Sequence, residues 1–485
     1  MPFGAPAARF EVTAENVNVL SSATEFREVL VNKLAAAQRR VIMTSLYIGA
    51  EQEQILEQIG RKKREGLEVW TMTDYCRTVR PDKGPAGRVS SSVETMLAVG
   101  GEDGWDCYLY QTPVPYRWQR WFPYRMQETL GVLHWKYYIF DDDVIVTGAN
   151  IATSYLTNRH DRWILVRKNK SLCDALAHIG QLWHGCCHRL LFGSRATGGP
   201  AVVYLSGTSR AVYLLQPRKH LNECLLEIER FLPTVCDFGE DCESLDAKHL
   251  QDIVRLSLGI HCGYAPEGSK LSWTEPEFIV KALRGPAQVR TEDTTLVLAT
   301  PYCNLSPETI GLLRTELGDR ELRIVGPSPN ASSFFDGGPV LSAIPFAYLR
   351  LTVRALEALT RVIRVRYSAF LSQAQSTFHA KGIWHVARNQ LHGQSAACGD
   401  RVLTIAGSTN FGLRSQKRDL ECLFLIDTCA PKLVKQFEGE LALIESLSQD
   451  CSDIRALKNG LESAKWVTRM IAKFFANNSF FRSLL

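Results

Sequence analysis

The chain has 485 residues, 45% of them hydrophobic and 22% charged. That is a globular composition, long enough for two domains whose cores need no disulfide support. No apolar run approaches the stretch of about 18 residues that a membrane-spanning helix needs. The net charge of +5 matters only where it clusters.

The N-terminal MPFGAPAARFEV has neither the apolar core of a secretory signal nor the arginine-rich face of a transit peptide. Targeting is therefore unusual, or carried by a leader outside this numbering. After Arg39-Arg40 the chain enters VIMTSLYIG, an apolar, β-branched run that predicts a buried strand. A helix-like QEQILEQIGRKKREG and a second strand, LEVWTMTDYC, follow. The segment YRWQRWFPYR then interleaves arginines with Tyr116, Trp118, Trp121, Phe122 and Tyr124, a composition suited to an anionic membrane surface. Next comes His134-Trp135-Lys136, 87 residues after Tyr47. Beyond it YYIF, a turn at Asp141-Asp142-Asp143 and VIVTG predict a hairpin that brings Asn150 back beside the pair, with Asp161 and Arg162 following. His160 is read as a neighbour of Asp161 with no role of its own.

Fourteen cysteines are scattered without a C-x-x-C pair. Cys186-Cys187-His188 with His184 lacks the second ligand cluster of a zinc finger, so free thiols and no metal site are expected. Residues 193–210, rich in Gly, Ser and Thr, predict a linker.

The order then repeats: TLVLATPYCNL, the helix-like ETIGLLRTEL, the strand ELRIVGPSP and His379-Ala380-Lys381, 77 residues after Tyr302. The return strand VLTIAGSTN carries Ser408 and Asn410, and Glu421 stands at the same distance from Asn410 as Asp161 from Asn150. His385 and His392 are assigned to a solvated hairpin tip. Strands alternating with helices predict an α/β fold. Two halves, 1–195 and 196–450, are expected to meet around a shared site in a pseudo-twofold arrangement. Residues 451–485 are expected to form a basic amphipathic helix, with Trp466, Phe474 and Phe475 on its apolar stripe and Lys465, Arg469 and Lys473 beside it.

These residue types suit displacement at a phosphodiester. A histidine serves as nucleophile when neutral and as acid when charged. Lysines and asparagines bind the non-bridging oxygens, and a carboxylate behind each imidazole sets its tautomer. The expected catalytic set is His134, Lys136, Asp141, Asn150, Asp161, His379, Lys381, Asn410 and Glu421, with no metal required. By the pseudo-twofold arrangement Glu421 should orient His134, and Asp161 should orient His379. Arg162, Arg414, Arg418 and Ser408 are the candidates for holding the substrates' phosphates.

The doubled H-x-K pattern with downstream Gly and Asn resembles the phospholipase D superfamily. Within it, SLYIG, ETLGVLHWKYYIFDDDVIVTGAN, SYLTNRHDR, AIPFAYL, TFHAKGIW and GSTNFGLRSQKRDLE are similar to segments of the eukaryotic CDP-diacylglycerol–glycerol-3-phosphate 3-phosphatidyltransferases. Together they span roughly residues 35–425. Two positions depart from the wider superfamily: Val386 stands where the second motif has an acid, and Ala149 where the first has a serine. Both departures fit this branch. The resemblance implies an α-β-α sandwich in each half and transfer of a phosphatidyl group from CDP-diacylglycerol to glycerol 3-phosphate through a phosphohistidine on His134. It also implies no cofactor, no nucleic-acid partner and a peripheral place on the mitochondrial inner membrane. Phosphatidylserine or cardiolipin synthesis, or a phosphodiesterase or nuclease activity, are the alternatives on the same motifs.

Overall fold

The computed structural model describes residues 4–83, 89–112, 124–192, 202–204, 217–237, 251–285, 294–336, 338, 340–373, 376–388 and 400–485. Trp118, Trp121, His392 and all but 202–204 of the expected linker lie outside the described residues.

Two nine-stranded sheets carry the chain, one for each repeat. The first runs Val202–Tyr204, Cys187–Leu190, Asp106–Tyr110, Glu68–Asp74, Arg40–Thr44, Tyr137–Phe140, Asp143–Thr147, Trp163–Val166, Val17–Leu20. The second runs Ala8–Thr13, Ile253–Cys262, Leu420–Thr428, Arg401–Gly407, Gly382–Ala387, Thr294–Ala299, Glu321–Pro327, Arg364–Phe370, Ser448–Asp450. Strand for strand the central parts match. In the first sheet Arg40–Thr44, Glu68–Asp74 and Asp106–Tyr110 are parallel neighbours. Thr294–Ala299, Glu321–Pro327 and Arg364–Phe370 repeat that pairing in the second. Each parallel run then joins an antiparallel set that begins with the strand following a histidine-lysine pair.

Side chains alternate across the sheets as a two-residue period requires. Tyr137 and Ile139 face a core shared by the two halves, while Tyr138 and Phe140 face the outer core of the first half. Helices Lys170–Trp183 and Pro431–Ser446 contribute to the shared core. Ala23–Ala36 and Glu53–Arg64 cover the outer face of the first sheet, and Thr274–Arg284, Pro307–Glu316 and Ile344–Leu359 that of the second. Each half is thus a sandwich of helices about a sheet.

The structure corrects the expected boundaries at both ends. Ala8–Thr13 belongs to the second sheet, antiparallel to Ile253–Cys262, with Ala8, Phe10 and Val12 buried. Three residues later Val17–Leu20 joins the first sheet, so the N-terminal strand ties the halves together. Residues 451–485 are not one helix. Ile454–Glu462, Trp466–Asn477 and Ser479–Arg482 follow one another, and the first two pack on Ile344–Leu359. Ala472 and Ala476 are buried, and Arg354 Nη1 donates to the Ala476 carbonyl at 2.8 Å. Trp466 and Phe474 stay 64% and 54% exposed, Val467 and Met470 are exposed with them, and Phe475 is partly buried.

Two smaller expectations also change. Cys429 is disulfide-bonded, so the thiols are not all free. His385 is not solvated but buried in the strand Gly382–Ala387, its Nδ1 against the Ala282 carbonyl at 2.9 Å.

Candidate active site

The two histidine-lysine pairs lie not within strands but in the extended segments leading into them, and each segment pairs with backbone from the opposite half. Leu133 bridges Leu420 in parallel. His134 N–H donates to the Leu420 carbonyl at 2.9 Å, and Leu420 N–H to the Val132 carbonyl at 3.0 Å. The second pair repeats the device. Arg159–His160 runs parallel to Thr377–Phe378, and His379 N–H donates to the His160 carbonyl at 2.7 Å. One residue beyond each bridge, His134 stands opposite Glu421 and His379 opposite Asp161.

The side chains then meet as that register dictates. His134 Nδ1 is 3.1 and 3.0 Å from the two Glu421 oxygens, and His379 Nδ1 is 2.5 Å from Asp161 Oδ2. Each carboxylate holds the ring proton on Nδ1, which leaves Nε2 as the reactive nitrogen. Lys136 Nζ donates to the His134 carbonyl at 2.6 Å. Lys381 Nζ lies 2.8 Å from His379 Nδ1 and 3.5 Å from Asp161 Oδ2. The shorter imidazole–carboxylate contact takes the Nδ1 proton, so Lys381 sits beside that pair as its counter-charge. Gly148 makes room for this. A Cβ there would fall 2.5 Å from Lys381 Nζ and 2.6 Å from Asp161 Oδ1.

Burial and mutual charge set the electrostatics. Burial lowers both histidines below their ordinary value, with the neighbouring lysine adding to the effect at each and most strongly at His379. Both rings are therefore neutral near neutral pH, with Nε2 lone pairs available. Burial, then repulsion from Lys381, depresses Lys136 well below the usual lysine range, and burial brings Lys381 down to about 8. Burial alone would raise the two acids, but Lys381 and the His379 ring hold Asp161 low, and the His134 ring with Lys136 holds Glu421 at about 2. Four ionisable groups and two imidazoles from both halves thus share one buried site.

The other candidates divide. Asn150 Oδ1 accepts from Ser45 Oγ and Leu46 N–H, both at 3.2 Å, while Asn410 Oδ1 is buried without a partner among the described residues. Asp141 is not in the site. It occupies the hairpin turn at φ 54°, and its carboxylate caps the N–H groups of Gln38, Arg39 and Arg40. In the second half Val386 lies within the strand Gly382–Ala387, paired with Val402 and facing the shared core. Ser408 does not face substrate either. Its hydroxyl donates to Glu421 and accepts from Cys422 N–H.

The three arginines are engaged structurally. Arg162 is 2% exposed, forks onto Glu440 at 2.8 and 2.9 Å, donates to the Ile405 carbonyl and lies over the Trp384 ring. Such a buried pair spans the halves, and removing one partner would cost about 3–5 kcal/mol. Arg414 holds Asp419 at 2.9 Å and the carbonyls of Glu128 and Leu484. Arg418 reaches Ser483 Oγ at 2.7 Å.

Residues beyond the motifs complete the site. Asp419 Oδ1 accepts from Val132 N–H and Asp74 Oδ2 from Leu133 N–H, so an acidic side chain from each half grips the backbone just before His134. Burial pushes Asp74 up to about 8. Tyr155 Oη lies 3.4 Å from His379 Nε2, with the two rings edge-on. Asp419 is two residues before Glu421, a spacing visible in RDLE. Asp74 and Tyr155 carry no such local signal. Among the described residues no group of His, Cys, Asp and Glu is arranged to hold a metal ion.

A family model described as "Cardiolipin synthase, PLD-like domain" matches residues 30–183. A mitochondrial CDP-diacylglycerol–glycerol-3-phosphate 3-phosphatidyltransferase of Gallus gallus is 30% identical, the match covering 96% of this chain and 85% of that one. The chain belongs to this phosphatidyltransferase family of the phospholipase D superfamily. The enzyme of the same name from Saccharomyces pastorianus is 25% identical, over 89% of this chain and 82% of its own. The fold is shared with phosphatidylserine synthase of Haemophilus influenzae Rd KW20, at a TM-score of 0.69 and 19% identity over 99% of this chain and 97% of that one.

For this family member the charge states set a pH profile. The lowered His134 keeps its Nε2 lone pair until pH falls below the ordinary histidine value of about 6.5, and a loss of activity is expected there. Lys381 loses its proton as pH rises through about 8, and a second fall in activity is expected there. Rates measured from about pH 5 to about 10 should trace this bell. A basic limb first seen above about 10, the ordinary lysine range, would contradict the buried-lysine electrostatics.

Proposed function

We propose that this enzyme transfers the phosphatidyl group of CDP-diacylglycerol to glycerol 3-phosphate, forming phosphatidylglycerophosphate and CMP. The observation that carries the mechanism is the pair of imidazoles, each bonded through Nδ1 to an acid of the opposite half. His134 Nε2 attacks the phosphorus bearing diacylglycerol, the bond to the CMP oxygen breaks, and that oxygen takes a proton from His379. The 1-hydroxyl of glycerol 3-phosphate then attacks phosphatidyl-His134, giving its proton to His379 as the phosphorus–nitrogen bond breaks. The substrate's anionic phosphates offset the cations around His379 and raise its affinity for the proton it must carry. Lys136 and Lys381 stabilise the charge on the non-bridging oxygens. Asn150 holds the loop at Ser45 and Leu46, and Asn410 is free to meet the substrate.

Purified protein given CDP-diacylglycerol and, separately, glycerol 3-phosphate, serine, phosphatidylglycerol or water should release CMP rapidly only with the first. His134→Ala and His379→Ala should each lower that rate by about a thousandfold or more. A chain that makes phosphatidylserine or cardiolipin, or cleaves the lipid with water, would overturn the assignment of acceptor.

The relatives named above from chicken, and others from mouse and human, carry mitochondrial names, which supports the same location for this chain. Among the described residues no helix is long and apolar enough to cross a membrane. Contact with the bilayer is assigned to the exposed face of Trp466–Asn477, where Trp466, Val467, Met470 and Phe474 stand beside Lys465 and Lys473. A basic, apolar helix face suits the interface of an anionic membrane, where the lipid substrate resides. Trp466→Ser with Phe474→Ser should float at least about tenfold less well with cardiolipin-containing vesicles, since full burial of each side chain is worth about 1.5–3 kcal/mol. It should still turn over substrate in detergent micelles. Equal flotation of variant and wild type would remove this face from the membrane contact.

A further inference from the structure

An acceptor that carries its own phosphate needs a cation beyond the two lysines that hold the transferred group. Arg162 and Arg414 are bound to carboxylates and carbonyls of the protein and leave that role open. Arg159 is placed differently. Its Nε donates to Thr377 Oγ1 at 3.1 Å, and its guanidinium lies over the Tyr155 ring at 4.1 Å. No carboxylate of the described residues stands within ion-pair distance of it. The ring and the threonine fix the fork without neutralising it, a costly arrangement for a half-buried cation unless an anion arrives.

Its position relative to the chemistry is equally specific. Tyr155, on which it rests, reaches His379 Nε2. Arg159 charge is felt at both His379 and Lys381. Arg159 is two residues before Asp161, and the residue two before Glu421 in the other half is Asp419. Asp419 is an acid, occupied by Arg414 and by Val132 N–H. The pseudo-twofold is therefore broken in charge: the His379 side has an open guanidinium, the His134 side a satisfied carboxylate.

Resting on the reaction proposed above, we propose that Arg159 is the residue that selects a phosphorylated acceptor, binding the phosphate of glycerol 3-phosphate on the His379 side of the site. The departing CMP leaves from that same side, because His379 protonates it. Its phosphate occupies the guanidinium first, and glycerol 3-phosphate replaces it once CMP has gone. The two ligands compete for one arginine.

Initial rates of the purified full-length enzyme in micelles, with CDP-diacylglycerol saturating and glycerol 3-phosphate varied, test this directly. Arg159→Ala should raise KM for glycerol 3-phosphate about 10–100-fold, with a smaller change in kcat, as loss of a charge-assisted contact predicts. CMP, a competitor of glycerol 3-phosphate, should weaken as an inhibitor to a similar degree. Arg159→Lys keeps the charge and the stem over Tyr155 but loses the fork, and should show an intermediate KM even if the alanine variant folds poorly. A kcat that falls while KM and the inhibition constant of CMP stay at wild-type values, in either variant, overturns the proposal and leaves Arg159 a packing residue. A wild-type chain that forms no phosphatidylglycerophosphate overturns the proposed reaction and this assignment together.

Discussion

Two short parallel backbone pairings across the halves, Leu133 with Leu420 and His160 with Phe378, are what the rest of the site depends on. Neither histidine is positioned by its own half alone. The N–H of His134 is bonded to the Leu420 carbonyl and that of His379 to the His160 carbonyl, so the register between halves decides which acid faces which ring. A slip of one residue would put Leu420 or Cys422 opposite His134 and leave a buried imidazole without its carboxylate. The buried Arg162–Glu440 fork and the N-terminal segment, whose two strands join one sheet each, hold that register from outside the site.

The same constraint explains the electrostatics. Pulling two lysines, two acids and two imidazoles into one buried volume depresses the bases and the acids together, and each group is tolerable only because its opposite is present. Neutral rings with Nε2 free are suited to attack and to receive a proton. Protonation of a ring then waits for an anionic substrate, which couples acid chemistry to binding. Among the differences between the two sides of this nearly symmetric site is one of charge, where Arg159 takes the place that Asp419 holds in the other half.

Much of this was legible in the sequence because it was written locally. The histidine-lysine pairs, the equal spacing from asparagine to acid and the strand-helix-strand repeats are short-range patterns, and the sheets reproduce them strand for strand. What was misread depended on contacts distant in sequence. Arg162 looks like a ligand beside Asp161 until Glu440 is seen 278 positions away. Asp141 fits a catalytic pattern but caps a turn, and Ser408 supports Glu421 from behind. The strand Ala8–Thr13 shows its alternation plainly, yet nothing local says that it joins the sheet of the second half. The amphipathic stripe at the C-terminus was visible, but not the small face, Ala472 and Ala476, that anchors it to Ile344–Leu359.

The central claim is a covalent relay between two imidazoles with unlike roles. Brief incubation of the enzyme with CDP-diacylglycerol, without acceptor, followed by peptide mass spectrometry under alkaline conditions that preserve phosphohistidine, tests it most directly. The account predicts an acid-labile phosphatidyl adduct on His134, retained in Arg159→Lys and discharged when glycerol 3-phosphate is added. An adduct on His379 would reverse the roles. No adduct, with inversion at a chiral phosphorus, would contradict the two-step mechanism itself.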